Sequence, residues 1–270
     1  MTEAYAKNNG LVDSNVGIDL LGRDFSTTMN NVIDFLDNNT EVPFNRIKNN
    51  QFRDEMYREL NDILGNQDEA ITLTQTILET LIEHRGIQEI TTINGIKIKS
   101  LNNVNWFSSG ISIRQLREQL SSLPDKLKNF ISEVIIYDVN NPADLYWEKT
   151  YDMRGFESGA TGGSGKINIY HGNPINLKGT LLHEAGHNFD SSLGWFSNAD
   201  SRWKEAMELD SHRFGNQIGC SRYATRAFNS SGTRSEDFAE AIRQYFSMDS
   251  SIFHRRYPNR YRILRELLEN

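Results

Sequence analysis

The chain of 270 residues reads as an α+β protein, with a mostly α-helical N-terminal domain over 1–105 and a mixed strand and helix domain over 106–270. Three observations predict this. Apolar residues recur at helical spacing through most of the first part. Short alternating or continuous apolar segments, of strand length, follow near residues 90, 131 and 166. From Thr180 the helical period returns.

Composition bounds the function classes. A hydrophobic share of 37% is enough for a core. The net charge is −7 and no basic block appears, so nucleic acid is not an expected partner. No apolar run reaches the length of a membrane span, which argues against stable membrane insertion. Met1 to Gly10 is polar and lacks the apolar core of a secretory signal. Cytosolic residence, export without a cleaved signal, or numbering without a leader all fit. The single cysteine, Cys220, excludes an intramolecular disulfide framework and a Cys-based zinc site. It is read as a small buried side chain.

Met29, Val32, Ile33 and Leu36 predict a first helix, ended by Asn38-Asn39-Thr40 and followed by a loop at Pro43. Phe52, Met56, Tyr57, Leu60, Ile63 and Leu64 predict a second, stopped at Gly65. Ala70, Ile71, Leu73, Ile77, Leu78, Leu81 and Ile82 predict a third, ending near Gly86, with His84 as a surface residue at its end. Alternation around Asn94-Gly95 over Ile90 to Lys99 predicts a β-hairpin. Asn102 to Gly110 reads as a connector at the domain boundary.

The second domain begins with helices over Ile113–Leu120 and around Pro124–Phe130, then a buried strand over Ile131–Tyr137. Leu145–Tyr151 and Gly155–Ser158 are weaker strand candidates. Lys166–Tyr170 alternates and predicts a strand, expected at the cleft edge where an extended peptide could pair. Gly159 to Lys166 resembles a phosphate-binding loop only superficially. Ala160 stands where a glycine is needed, Ile167 where a Ser or Thr should hold Mg²⁺, and a flexible turn is the expectation. His171 is expected at the cleft rim.

The chemistry concentrates in Leu181-Leu182-His183-Glu184-Ala185-Gly186-His187. On a helix, residues four apart share a face, so His183 and His187 can present two ring nitrogens to one ion. Two imidazoles suit Zn²⁺. Glu184 can reach an attacking water without ligating, which is the layout of a zinc peptidase. Ala185, Phe189 and Leu193 lie on or near the packing face, and Gly186 lets another backbone come close. The plain structural alternative is a buried helix with hydrogen-bonded histidines.

A catalytic zinc usually takes three protein ligands. The extended motif with a third histidine is absent, since Asp190 and Leu193 occupy its Gly and His positions. His212, in an apparent helix over Asp200–Phe214, is a minor candidate. Glu236 is the better one. It lies with Glu240 on one face of a helix whose apolar stripe is Phe238, Ala241, Ile242, Tyr245 and Phe246. One glutamate can ligate while the other accepts the spare N–H of a ligand histidine. A capping box with Thr233 is the competing role for Glu236, and a solvated face the competing role for Glu240.

These residues carry a resemblance. The His183–His187 motif with Asp190, the segment Ser235-Glu236-Asp237-Phe238-Ala239-Glu240-Ala241, and Tyr257-Pro258-Asn259-Arg260-Tyr261 resemble the catalytic domain of anthrax-lethal-factor-like metallopeptidases, which include the Pro-Pro endopeptidases. The resemblance covers roughly residues 105–270. It implies a zincin fold, one catalytic Zn²⁺ and Glu236 as third ligand. It also implies a tyrosine shortly before that glutamate which assists the transition state. Ala227 to Ser231 has none, and the nearest is Tyr223. The expected function is a zinc-dependent endopeptidase acting on a protein or peptide. By family analogy it would be a secreted or translocated toxin or effector, its N-terminal domain serving docking, delivery or regulation. The alternative is a catalytically silent zinc-binding module that grips a partner protein.

Overall fold

A computed structural model describes residues 50–101, 111–153, 155–171, 176–212 and 217–269. The helix expected at Met29–Leu36, the Pro43 loop and the 102–110 connector lie outside these residues, as does the side chain of His84. The chain divides into two compact units, one of residues up to 85 together with 142–156, the other of 86–141 with 157–270. The hairpin grouped by sequence with the N-terminal part therefore belongs to the second unit.

The first unit holds α1 (Asn50–Leu64), α2 (Gln67–His84) and a later helix, α5 (Asp144–Thr150). Gly65, at φ 62°, ends α1, and the Asn66 side chain caps α2 by accepting from two backbone amides of its first turn. Phe52, Met56 and Leu60 of α1 and Ala70, Ile71, Ile77 and Leu78 of α2 are buried. Arg53 is buried with them and donates to Glu148 at 2.7 Å. The 145–151 segment is thus a helix and not a strand. Its aromatic residues favour strands by propensity, but helical spacing stacks Trp147 on Tyr151 at 5.1 Å, an i, i+4 contact that an extended chain cannot make. Gly155–Ser158 is irregular, with Gly155 at φ 67°.

The second unit carries a five-stranded mixed sheet: β1 (Ile87–Ile93), β2 (Ile96–Leu101), β3 (Glu133–Ile136), β4 (Ala160–Gly163) and β5 (Lys166–Ile169). Their order is β1-β2-β3-β5-β4. The outer pairs are antiparallel and the two inner pairs parallel. Asn94 and Gly95, at φ 52° and 82°, make the β1–β2 turn that Asn-Gly predicts. Helix α3 (Ile113–Ser122) starts with a Ser112–Gln115 capping box, and α4 shrinks to Asp125–Lys128.

Two expectations change here. Lys166–Tyr170 yields an interior strand, paired on both sides. The glycine-rich stretch before it is no free turn but the edge strand β4, joined to β5 through Ser164 and Gly165, both in the left-handed region. Glycine is a poor strand former, so propensity hides this strand.

Five helices complete the unit at its C-terminal side: α6 (Leu177–Ser192), α8 (Ser201–Ser211), α9 (Arg222–Ser231), α10 (Ser235–Ser247) and α12 (Pro258–Glu269), with short α7 (Phe196–Ala199) and α11 (Ser250–Arg256) between them. One sheet face presents Ile98, Val134, Ile136, Ile167 and Ile169. They join one core with Leu181, Leu182 and Phe189 of α6 and Phe238 and Ile242 of α10. On the other face Glu133 bridges Lys99 and Lys166 across three strands. Those lysines, Lys99 first, hold its carboxyl below the ordinary range. No described helix is long and apolar enough to cross a membrane.

Candidate metal centre

The site grows from the packing of α6 on α10. In α6, Leu181, Leu182, Ala185 and Phe189 enter the core. That rotation turns His183 and His187 together toward α10, with their Nε2 atoms 3.2 Å apart. Gly186 sits where the helices touch. A Cβ there would stand 2.9 Å from Ala239 Cα and 3.2 Å from Ile242 Cβ. The missing side chain lets the α10 backbone approach and carries Glu236 to the histidines. Its Oε2 lies 3.1 Å from His183 Nε2 and 3.4 Å from His187 Nε2.

These three atoms form a triangle with edges of 3.1, 3.2 and 3.4 Å. Donors about 2.0–2.1 Å from a tetrahedral Zn²⁺ would be about 3.3 Å apart. The donor set therefore fits one face of a zinc tetrahedron in chemistry and in spacing, and His183, His187 and Glu236 form the group among the described residues that could hold a metal.

Electrostatics point the same way. Glu240 Oε1 lies 3.0 Å from His183 Nδ1. With Nδ1–H donating to that carboxylate, His183 Nε2 carries a lone pair aimed at a second carboxylate. A cation must stand between them, or a proton. Burial pulls the His183 pKa down, but hydrogen bonds to Glu236 and Glu240 overcome it and lift the value to about 10. Burial opposes ionisation of both glutamates, yet hydrogen bonds from His183 and His187 hold Glu236 below the usual range, and those from His183 and Arg243 hold Glu240 at about 2. Glu184 differs. Desolvation dominates and pushes its carboxyl up, as suits a proton acceptor.

Tyr223, on α9, lies with its ring centroid 5.9 Å from that of His183. The residue is 46% exposed. At its hydroxyl end burial raises the pKa, as does the charge of Glu236, so the phenol stays protonated. The Ala227–Ser231 stretch, where the resemblance implies a tyrosine, is the second half of the same helix.

The competing roles do not form. Glu236 makes no capping box with Thr233, because α10 has Arg234 at its N-cap with no side-chain cap, and Thr233 Oγ1 bonds the Ser235 hydroxyl. Glu240 is buried and not on a solvated face. His212 follows α8 as an exposed C-cap residue outside the donor group. His171 pairs loosely with Asp138 at 3.5 Å. Cys220 is buried, with its thiol raised well above the usual value by desolvation, which removes it as a nucleophile. Leu193, expected near the packing face, ends α6 as an exposed C-cap.

Several residues hold the site through partners that the sequence pattern does not name. Asn188 accepts from Gly165 N–H and donates to Lys166 C=O, fastening α6 to the β4–β5 turn. Asp190 accepts from the Ser197 amide and hydroxyl, while burial raises its pKa. Asp237, next to Glu236, accepts from Arg260 and from the Cys220 amide. Gly162 of β4 lies against the Glu184 backbone, where a Cβ would fall 2.4 Å from the Glu184 carbonyl oxygen. Gly162→Ala is therefore expected to force β4 away from α6 and to destabilise by about 1–3 kcal/mol. Urea denaturation measures this, and an unchanged midpoint would show that the strand can shift freely.

No protein-family model matches the chain, and no curated protein matches it.

Proposed function

We propose that the chain is a zinc-dependent endopeptidase with a zincin-like catalytic domain. One observation carries the reading: three donors, His183, His187 and Glu236, converge at zinc spacing beside a buried carboxylate, Glu184, that is not one of them. When bound there, Zn²⁺ supplies Lewis-acid polarisation and lowers the pKa of water. Glu184 accepts the proton of the attacking water, for which its raised pKa suits it, and delivers that proton to the leaving amine. The Tyr223 hydroxyl, held protonated, donates to the developing oxyanion. Glu240 holds His183 through Nδ1. The edge strand β4, in place of β5, has one side unpaired by any described strand and offers it to an extended substrate. The resemblance to lethal-factor-like peptidases supports this reading and extends it to a secreted or translocated toxin or effector.

The lack of a tyrosine over 227–231 is what favours a silent module. The position of Tyr223 beside His183 favours the enzyme over it.

Zinc content measured with mass-spectrometric cleavage profiling of a broad peptide library tests the proposal. One zinc per chain and cleavage that chelation abolishes and Zn²⁺ restores are the expected results. Protein without zinc affinity would end the metal reading, and zinc-loaded protein that cleaves nothing would leave the silent module. Chelation is also expected to lower the thermal midpoint, since zinc at a thousand times its Kd stabilises by about 4 kcal/mol. An identical melting curve with and without zinc would count against the site.

A further inference from the structure

We infer that Arg243 is a positioning residue of this centre, acting through Glu240 to fix the ring orientation and the proton-bearing nitrogen of His183. The inference rests on the metal reading above and adds a residue that the motif does not contain. Glu236, Glu240 and Arg243 fall at i, i+4 and i+7 on α10, so they share one face. Arg243 Nη2 donates to Glu240 Oε2 at 2.6 Å, while Glu240 Oε1 meets His183 Nδ1 at 3.0 Å. Each carboxylate oxygen thus has a separate partner.

That division of partners matters because the terminal torsion of glutamate is broad and two-fold. Held at one oxygen only, the carboxylate can rotate and release the histidine. Held at both, it presents one oxygen to Nδ1 and leaves Nε2 as the lone-pair donor that a cation needs. Arg243 also brings a positive charge to a cluster where Glu184, Glu236 and Glu240 crowd together. Its Nε is buried and has no partner among the described residues, although 36% of the side chain stays exposed. The bland reading is a partly exposed i, i+3 ion pair, which would contribute little to anything.

The two readings separate on zinc affinity. In full-length protein, Arg243→Gln is expected to weaken zinc binding about tenfold, at the lower end of losses seen when groups behind metal ligands are removed. Competition against a zinc-chelating dye and the rate of zinc loss to excess chelator give two readouts independent of catalysis. Arg243→Lys, which keeps a charge and a donor, should recover most of the affinity. In an E240Q background the Arg243→Gln substitution should have no further effect, because its route to the histidine is gone. The visible spectrum of the Co²⁺-loaded protein should shift in Arg243→Gln, with the apo melting temperature unchanged. Zinc affinity within twofold of wild type in Arg243→Gln, or full additivity with E240Q, would overturn the inference while leaving the metal centre standing. A wild-type chain that binds no zinc would remove both.

Discussion

Glu184→Gln is expected to bind zinc as the wild type does while peptide cleavage falls about 10³-fold. The carboxylate lies outside the donor triangle of His183, His187 and Glu236, so losing its charge leaves every donor in place. Glutamine keeps the shape of the buried side chain and the close fit of β4 against the residue 184 backbone. It cannot accept the proton of the attacking water. A loss confined to kcat, with unchanged zinc content, is the signature of that role. Cleavage by Glu184→Gln at the wild-type rate would remove the general base from the mechanism, whatever the metal does.

Arg260→Met is expected to cost about 3–5 kcal/mol, the range seen when one partner of a buried ionic group is removed. Arg260 is 1% exposed. Its guanidinium donates to Asp237 at 2.9 and 3.0 Å, to Asp210 at 3.2 Å and to the Ile218 carbonyl at 2.6 Å. Burial disfavours its charge, yet those carboxylates raise its pKa further above the usual value. Methionine fills similar space but leaves two wholly buried carboxylates, on α8 and α10, without their cation. The damage should reach the metal centre, because Asp237 adjoins Glu236 on α10 and also holds the Cys220 amide ahead of α9 and Tyr223. Denaturation by urea measures the stability loss, and zinc titration of the remaining folded protein should show weaker binding. A loss under about 1 kcal/mol would mean that the two aspartates find other partners or take up protons at little cost.

The sequence by itself determined whatever depends on neighbours within one helix or one turn. The i, i+4 spacing of His183 and His187 and of Glu236 and Glu240 settles which residues can share a face, and the geometry of the helix does the rest. Asn94-Gly95 specified its turn for the same reason, since few residues adopt a left-handed backbone cheaply. Gly186 announced a close approach, though not what would approach.

Tertiary structure alone decided what depends on distant partners. Propensity mistook 145–151 for a strand, because aromatic residues suit sheets, while the contact that favours the helix exists only once the helix forms. The edge strand β4 reads locally as a slack loop, since Gly162 is explained by the α6 backbone lying against it, a neighbour that no local pattern records. The β1–β2 hairpin joined the second unit through its parallel pairing with β3 across more than thirty residues of chain. Nothing local to Arg260 or Arg243 names the buried carboxylates that folding sets against them. A motif lists donors. The close packing of two helices, Gly186 against Ala239, brings those donors to a common point.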